Sequence, residues 1–285
     1  MFAPTHAHGG VAALMRGASI EVAPRDRAGL EAAASLMPPG SEVFLPWIAG
    51  ETHHRSVDAA RALARAGLRP VPHVAARFLS GYTQLGDFLS RLQGEAGVSR
   101  AMLVGGDRER PLGALGSGLE ALETGLFARH GFREVALPAY PEGNPRIAPA
   151  TLAVALRAKL DAVARQGMSA RLVTQFCFEA DPVLRLLGHL RAEGIDAPVR
   201  VGVAGPASLA ALVKFALRCG VGNSIRALSI HGSAIARLTA TADPLAMLRD
   251  VAAGVAAEPA LAPQGVHVFA FGGAARTARW MRAQV

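Results

Sequence analysis

Residues 171–204, RLVTQFCFEADPVLRLLGHLRAEGIDAPVRVGVA, hold two apolar strand-like runs, 171–178 and 198–204, on either side of a segment of helical period, DPVLRLLGHLRAEGI, capped by Asp181. Strand, helix and strand in succession make a parallel βαβ unit. The same alternation extends in both directions. Apolar or β-branched runs recur at 19–24, 42–48, 69–76, 100–106, 134–140 and 266–272, which brings the number of predicted strands to eight. Helical segments lie between them, such as SVDAARALARAGL with Ser56 as cap and Gly67 as stop. Eight such units in a chain of 285 residues predict an α/β fold, a (β/α)8 TIM barrel forming one domain over 1–285, with a doubly wound sheet as the alternative. The region 205–265 carries more helix than one crossover needs, so extra helices are expected after strand seven.

Half of the residues are apolar, enough for a sizeable core. The net charge of +8 comes almost entirely from arginines scattered through helical segments, with only two lysines, Lys159 and Lys214. A basic stripe with interleaved aromatics is missing, so the charge suits anionic small molecules better than nucleic acid. The apolar runs are strand-sized, and the first residues, MFAPTHAHGGVAALMRG, lack the pattern of a secretory signal, so neither a membrane span nor secretion is indicated and a cytoplasmic location is expected. Cys177 and Cys219 stand in apolar surroundings without metal-ligand spacing and read as buried reduced thiols.

Within 171–178, Thr174 and Gln175 interrupt an otherwise apolar run. A buried amide needs partners for its carbonyl and its NH2, so this placement is costly unless something binds there. In a (β/α)8 barrel the chemistry sits at the carboxyl ends of the strands. The residues predicted there are Glu21, Trp47, His73, Asp107, Tyr140, Gln175, Gly205 and Phe271, a polar, aromatic and glycine set around one mouth.

With these positions in hand, the chain resembles the methylenetetrahydrofolate reductase family in its short prokaryotic form. The likeness runs through SIEVAP, VPHVAARF, LVGGDRERP, AYPEGNP and LVTQFCF in order, and HVFAFGGAARTARW resembles the closing strand and helix of a short-form branch. The resemblance implies interconversion of 5,10-methylenetetrahydrofolate and 5-methyltetrahydrofolate, with FAD taking hydride from NADH or NADPH. It implies Glu21 as the general acid that opens the methylene bridge and Asp107 beside flavin and folate. Gln175, supported by Thr174, would bond the pterin, with Phe271 also on the substrate. His73, Asp107, Tyr140, Asn144 and Lys159 would hold FAD, Lys159 at the pyrophosphate. The implied partners are tetrahydrofolate derivatives, with neither nucleic acid nor membrane; a homo-oligomer is allowed.

The residue types suit that chemistry independently. Breaking a carbon–nitrogen bond requires a proton for the leaving amine, which a carboxylic acid at an apolar strand end such as Glu21 can carry; its other reading is a partner for an arginine. A carboxylate near a cationic iminium stabilises it, and Asp107 follows two glycines that let a ring approach the backbone; its other reading is a helix cap or arginine partner.

Several positions depart from the family. Asn144 stands where it commonly has His, Pro46 where a hydroxyl residue is frequent, and Leu209 near an aromatic position; about five extra residues separate Lys159 from TQF. These departures keep open direct hydride transfer from nicotinamide without flavin, and a barrel that binds folate without turnover. Operation in the methyl-oxidising direction is a further alternative. His6 and His8 in THAHGG, with His53 and His54, raise a metal-dependent amidohydrolase. Against it, the HxH precedes the first strand, so these histidines read as exposed loop residues and no metal is expected.

Overall fold

The computed structural model describes residues 6–48, 50–208, 212, 215 and 244–284. In chain order its elements are α1 (His6–Met15), β1 (Ser19–Glu21), α2 (Arg27–Leu36), β2 (Glu42–Leu45), α3 (His53–Arg65), β3 (Arg69–Ala75) and a 3-10 turn, Ala76–Phe78. They continue with α4 (Tyr82–Ala96), β4 (Arg100–Val104), α5 (Gly118–Glu123), α6 (Leu126–Arg129), β5 (Glu134–Ala139), α7 (Pro149–Arg165), β6 (Ser169–Thr174) and α8 (Ala180–Ala192). The last are β7 (Val199–Ala204), α9 (Leu245–Ala257), a 3-10 turn at Pro259–Leu261, β8 (Gly265–Phe269) and α10 (Ala274–Arg282). The strands close in the order β1-β2-β3-β4-β5-β6-β7-β8, and the pairs β2–β3, β3–β4, β4–β5 and β7–β8 are parallel. This is a (β/α)8 TIM barrel, as the alternation of strands and helices predicts.

All eight expected strands are present, and their ends differ by a few residues. β2 stops before Pro46, which has no N–H to extend the ladder. β6 begins at Ser169 and ends at Thr174, so Gln175 lies one residue beyond it. Two helix caps also differ. Thr52 Oγ1 accepts the Arg55 N–H at 3.3 Å, so α3 starts ahead of Ser56, which is buried inside it. α8 begins at Ala180, placing Asp181 in the first turn, where its charge faces the positive end of the helix. Of the helices expected after β7, α9 and the short 3-10 turn are described; residues 209–211, 213, 214 and 216–243, Leu209, Lys214 and Cys219 among them, lie outside the described residues.

The chain divides into two compact units, residues 1–20, 139–147 and 173–285 in the first and 21–138 and 148–172 in the second. In the second, Arg171 on β6 donates to Glu42 Oε2 at 2.5 Å and Oε1 at 3.2 Å, and reaches Glu134 Oε1 at 2.6 Å. Arg100 lies 3.7 Å from both glutamates. Glu42, Arg100 and Glu134 are the first residues of β2, β4 and β5, so this balanced cluster is at the amino ends of those strands. In the first unit Ser19 Oγ is 2.9 Å from His267 Nδ1, and Arg200 Nη1 donates to Gly17 O at 2.8 Å.

Candidate functional site

Glu21, His73, Asp107 and Lys159 fall in the second unit. Glu21 is the last residue of β1, and His73 stands two residues before the end of β3. Their side chains are 20% and 13% exposed, and His73 Nε2 lies 3.8 Å from Glu21 Oε2. Alternate strands of a (β/α)8 barrel contribute side chains to the same interior layer, which is how β1 and β3 bring this pair together. Nothing in the sequence signals that a histidine stands beside Glu21.

Asp107 is exposed, three residues past β4. Its two preceding glycines behave differently. A Cβ on Gly105 would meet nothing within 4 Å, whereas one on Gly106, at φ +93°, would lie 3.0 Å from the Phe78 ring. The ring that needs a glycine at 106 is therefore the chain's own Phe78, and the open approach is at Gly105. Arg108 places its guanidinium 5.5 Å from the centre of that same ring.

Trp47, two residues past β2, packs on His53 with ring centres 4.6 Å apart, and His53 packs on Phe88 at 4.6 Å. Burial first and the charge of His54 second, opposed by Asp87, pull the His53 pKa down to about 4. His53, the first residue of α3, is thus a half-buried neutral member of an aromatic stack, not the exposed loop residue expected; His54 beside it is exposed, but also helical. His6 and His8 belong to α1, ahead of β1. Among the described residues no group of three or more His, Cys, Asp or Glu is placed to hold a metal.

Lys159 is half-buried in α7 on the same face as buried Ala162 and Val163, and burial holds its ammonium below its ordinary pKa. A groove of about 780 Å³, lined by Tyr82, Asp87, Glu120, Glu123, Leu126 and Arg129 among others, opens in this unit along α4, α5 and α6. It contains none of the residues assigned from sequence.

Tyr140, Asn144, Thr174, Gln175 and Phe271 fall in the first unit. Thr174 Oγ1 accepts the Gly202 N–H at 2.8 Å and donates to Gln175 O at 3.0 Å. A Cβ on Gly202 would collide with Thr174 O, so β6 and β7 require glycine there. The Gln175 N–H bonds Ala139 O at 2.8 Å, and its side-chain Oε1 accepts the Phe176 N–H at 3.1 Å. An amide oxygen has two lone pairs, so with one of them on the Phe176 N–H, Gln175 keeps its NH2 donors and one acceptor position for a ligand.

Tyr140 is half-buried one residue past β5, in a turn closed by Gly143 N–H to Tyr140 O at 3.0 Å. Asn144 Oδ1 accepts the Arg146 N–H at 2.9 Å, which holds the side chain over its own turn. Phe271, two residues past β8, takes a left-handed φ of 47° and packs edge-on to Phe176 at 5.0 Å and tilted on Phe215 at 4.6 Å. Gly205, expected at the mouth, is packed instead by Thr277, whose Oγ1 would lie 2.8 Å from a Cβ there. Cys177 is buried, which pushes its thiol pKa up, with Glu142 and Glu179 adding to the effect.

Sequence reading missed Arg77 and Phe78, which brace the Asp107 loop, and the pairing of Glu21 with His73. Neither carries a local signal, because each depends on loops and strands that are distant in the chain.

No protein-family model matches the chain. Dihydropteroate synthase from Thermus thermophilus resembles it in structure at 16% identity, covering 93% of this chain and 91% of that one, with a TM-score of 0.48. For 3-dehydroquinate dehydratase from Aquifex aeolicus the values are 12%, 69%, 83% and 0.40. For a sugar phosphate isomerase/epimerase from Parabacteroides distasonis they are 11%, 86%, 96% and 0.38. None of these three is a methylenetetrahydrofolate reductase, and at such identities no residue role passes to this chain. Among the described residues no helix is long and apolar enough to cross a membrane.

Proposed function

We propose that the protein is an oxidoreductase interconverting 5,10-methylenetetrahydrofolate and 5-methyltetrahydrofolate, with NADH or NADPH as the hydride source and FAD as the carrier. The observation that carries this reading is Glu21, a carboxyl group 20% exposed at the end of β1, beside an imidazole. A carboxylic acid is the type of group that can give a proton to a leaving nitrogen.

Glu21 gives that proton to the leaving nitrogen as the methylene bridge opens, which leaves a cationic iminium on the substrate. Hydride then adds to the iminium carbon, and the product is the methyl compound. The Asp107 carboxylate favours the cation, and the Gln175 NH2 bonds an acceptor on the pterin. In the oxidising direction Glu21 takes the proton back.

The chain's own groups fit an FAD in part. Lys159 has no hydrogen-bond or ion-pair partner among the described residues, and an anion such as a pyrophosphate relieves a half-buried ammonium. The family resemblance would add His73, Asp107, Tyr140 and Asn144 as further polar contacts of the FAD. When bound, FAD supplies a two-electron carrier between nicotinamide and folate.

An absorbance spectrum of freshly purified protein tests the proposal, followed by NADH or NADPH added without oxygen and then methylenetetrahydrofolate. A yellow protein bleached by nicotinamide and recoloured by the folate is expected. A colourless protein active without FAD assigns direct transfer; a protein inactive with both nicotinamides and added FAD rules the proposal out.

A further inference from the structure

Arg77, in the turn after β3, is bonded to the loop after β4 through both its backbone and its side chain. Its N–H donates to Gly105 O at 2.9 Å, and its own carbonyl accepts the Leu112 N–H at 2.9 Å. Its Nε donates to Gly116 O at 2.7 Å and its Nη1 to Arg108 O at 3.0 Å. Two of these bonds, at Gly105 and Arg108, bracket Asp107 directly. Phe78 adds to the bracket, with its ring against the Cα of Gly106 and beneath the guanidinium of Arg108. Further along, Gly113 lies so close to Ser80 O that any side chain there would collide with it. The loop is thus laid along residues 77–80 at both of its ends.

An exposed loop otherwise has many conformations, and a carboxylate on it has no fixed place. A guanidinium that reaches two carbonyls at once fixes a loop in a way an ammonium, a single point of charge, does not. We infer that Arg77 is the positioning residue for Asp107, holding the carboxylate at the place where the reaction uses it. This rests on the oxidoreductase reading for the role of Asp107, and on geometry alone for the clamp.

The test uses full-length Arg77→Lys, Asp107→Asn and the double variant. Hydrogen exchange should quicken in Arg77→Lys across residues 105–112 and stay unchanged elsewhere. Methylenetetrahydrofolate turnover should fall about 10-fold to 100-fold, the usual loss when a catalytic group is misplaced by about 1 Å, while nicotinamide oxidation stays within about 3-fold. The double variant should be no slower than Asp107→Asn alone, because a positioning residue acts through the group it positions.

Multiplying losses in the double variant, equal losses in both half-reactions, or unchanged exchange at 105–112 would each overturn the inference. If the wild-type protein does not turn over folate, the proposed function falls and the clamp is judged by exchange alone. Should Arg77→Lys fold poorly, the wild-type Arg77 Nε–H resonance decides: slow exchange with solvent supports the bond to Gly116 O, and free exchange removes it.

Discussion

His73 Nε2 stands 3.8 Å from Glu21 Oε2, joining the second-last interior position of β3 to the last residue of β1. The separation is longer than a hydrogen bond, and His73 also meets Phe44 edge-on with ring centres 6.2 Å apart. The pair stands at or near the strand ends, so Glu21 is the carboxyl on which the proposed proton transfer is tested first.

Glu21→Gln keeps the shape and hydrogen bonding of the side chain and removes its transferable proton. Only the folate half-reaction breaks a bond to an amine, so only that half depends on the acid. Methylenetetrahydrofolate turnover is expected to fall by roughly 10²-fold to 10⁴-fold, with nicotinamide oxidation within about 10-fold of wild type, as read by stopped-flow absorbance. Equal losses in both halves would make Glu21 a structural residue of the barrel.

Gln175 separates donor from acceptor. Gln175→Ala removes the amide and should lower kcat/KM for the folate about 10-fold to 100-fold, leaving nicotinamide use unchanged. Gln175→Glu retains an oxygen for the Phe176 N–H, 3.1 Å away in the wild type, but presents a second oxygen in place of the NH2. It should therefore be at least as slow as Gln175→Ala; wild-type rates in Gln175→Glu would show that no donor is read there.

His53 makes stability depend on pH. Its folded pKa of about 4 lies below the ordinary 6.5, so between these values the unfolded chain binds a proton that the folded chain does not. The contribution is complete above pH 6.5 and is lost as the pH falls toward 4. After allowance for the solvent-exposed part of the ring, the loss is about 1–2 kcal/mol. Urea unfolding at pH 7, 5.5 and 4 should show it, and His53→Phe, which keeps a ring between Trp47 and Phe88, should remove that part of the slope. An unaltered slope would assign it to another group.

Arg171 and Glu42 are 6% and 8% exposed, and the guanidinium bonds both oxygens of the carboxylate. Arg171→Met removes the guanidinium bonded to both Glu42 and Glu134 and is expected to cost about 3–5 kcal/mol in urea unfolding. Arg171→Met combined with Glu42→Leu should cost less than Arg171→Met alone, since it removes the stranded charge as well. A double variant weaker than the single one would mean that Arg100, 3.7 Å from Glu42, supports that carboxylate without Arg171.

The barrel was legible in the chain because its signal is local. β6 and β7, on either side of α8, are apolar runs of strand length separated by an amphipathic segment, and eight such alternations in one chain leave few other architectures. The polar and aromatic residues near strand ends were legible for the same reason: Glu21, Tyr140 and Gln175 lie at, or one residue beyond, the ends of β1, β5 and β6. The resemblance carried by YPEG and TQF then proposed roles for them, which kinetics must decide.

What only the tertiary structure decided are relationships between residues far apart in the chain. Glu21 meets a histidine because β1 and β3 contribute to one layer of the interior, and neither segment signals its partner. Gly106 meets Phe78, and Arg77 grips the Asp107 loop, because two consecutive loops lie against one another after β3 and β4. His53 reads as a surface residue in ETHHRS, yet the packing of α3 and α4 places its ring between Trp47 and Phe88 and lowers its pKa. Periodicity along a chain reports which face of an element is buried; the contacts that set the charge and aim of a side chain come from the neighbours that folding brings to it.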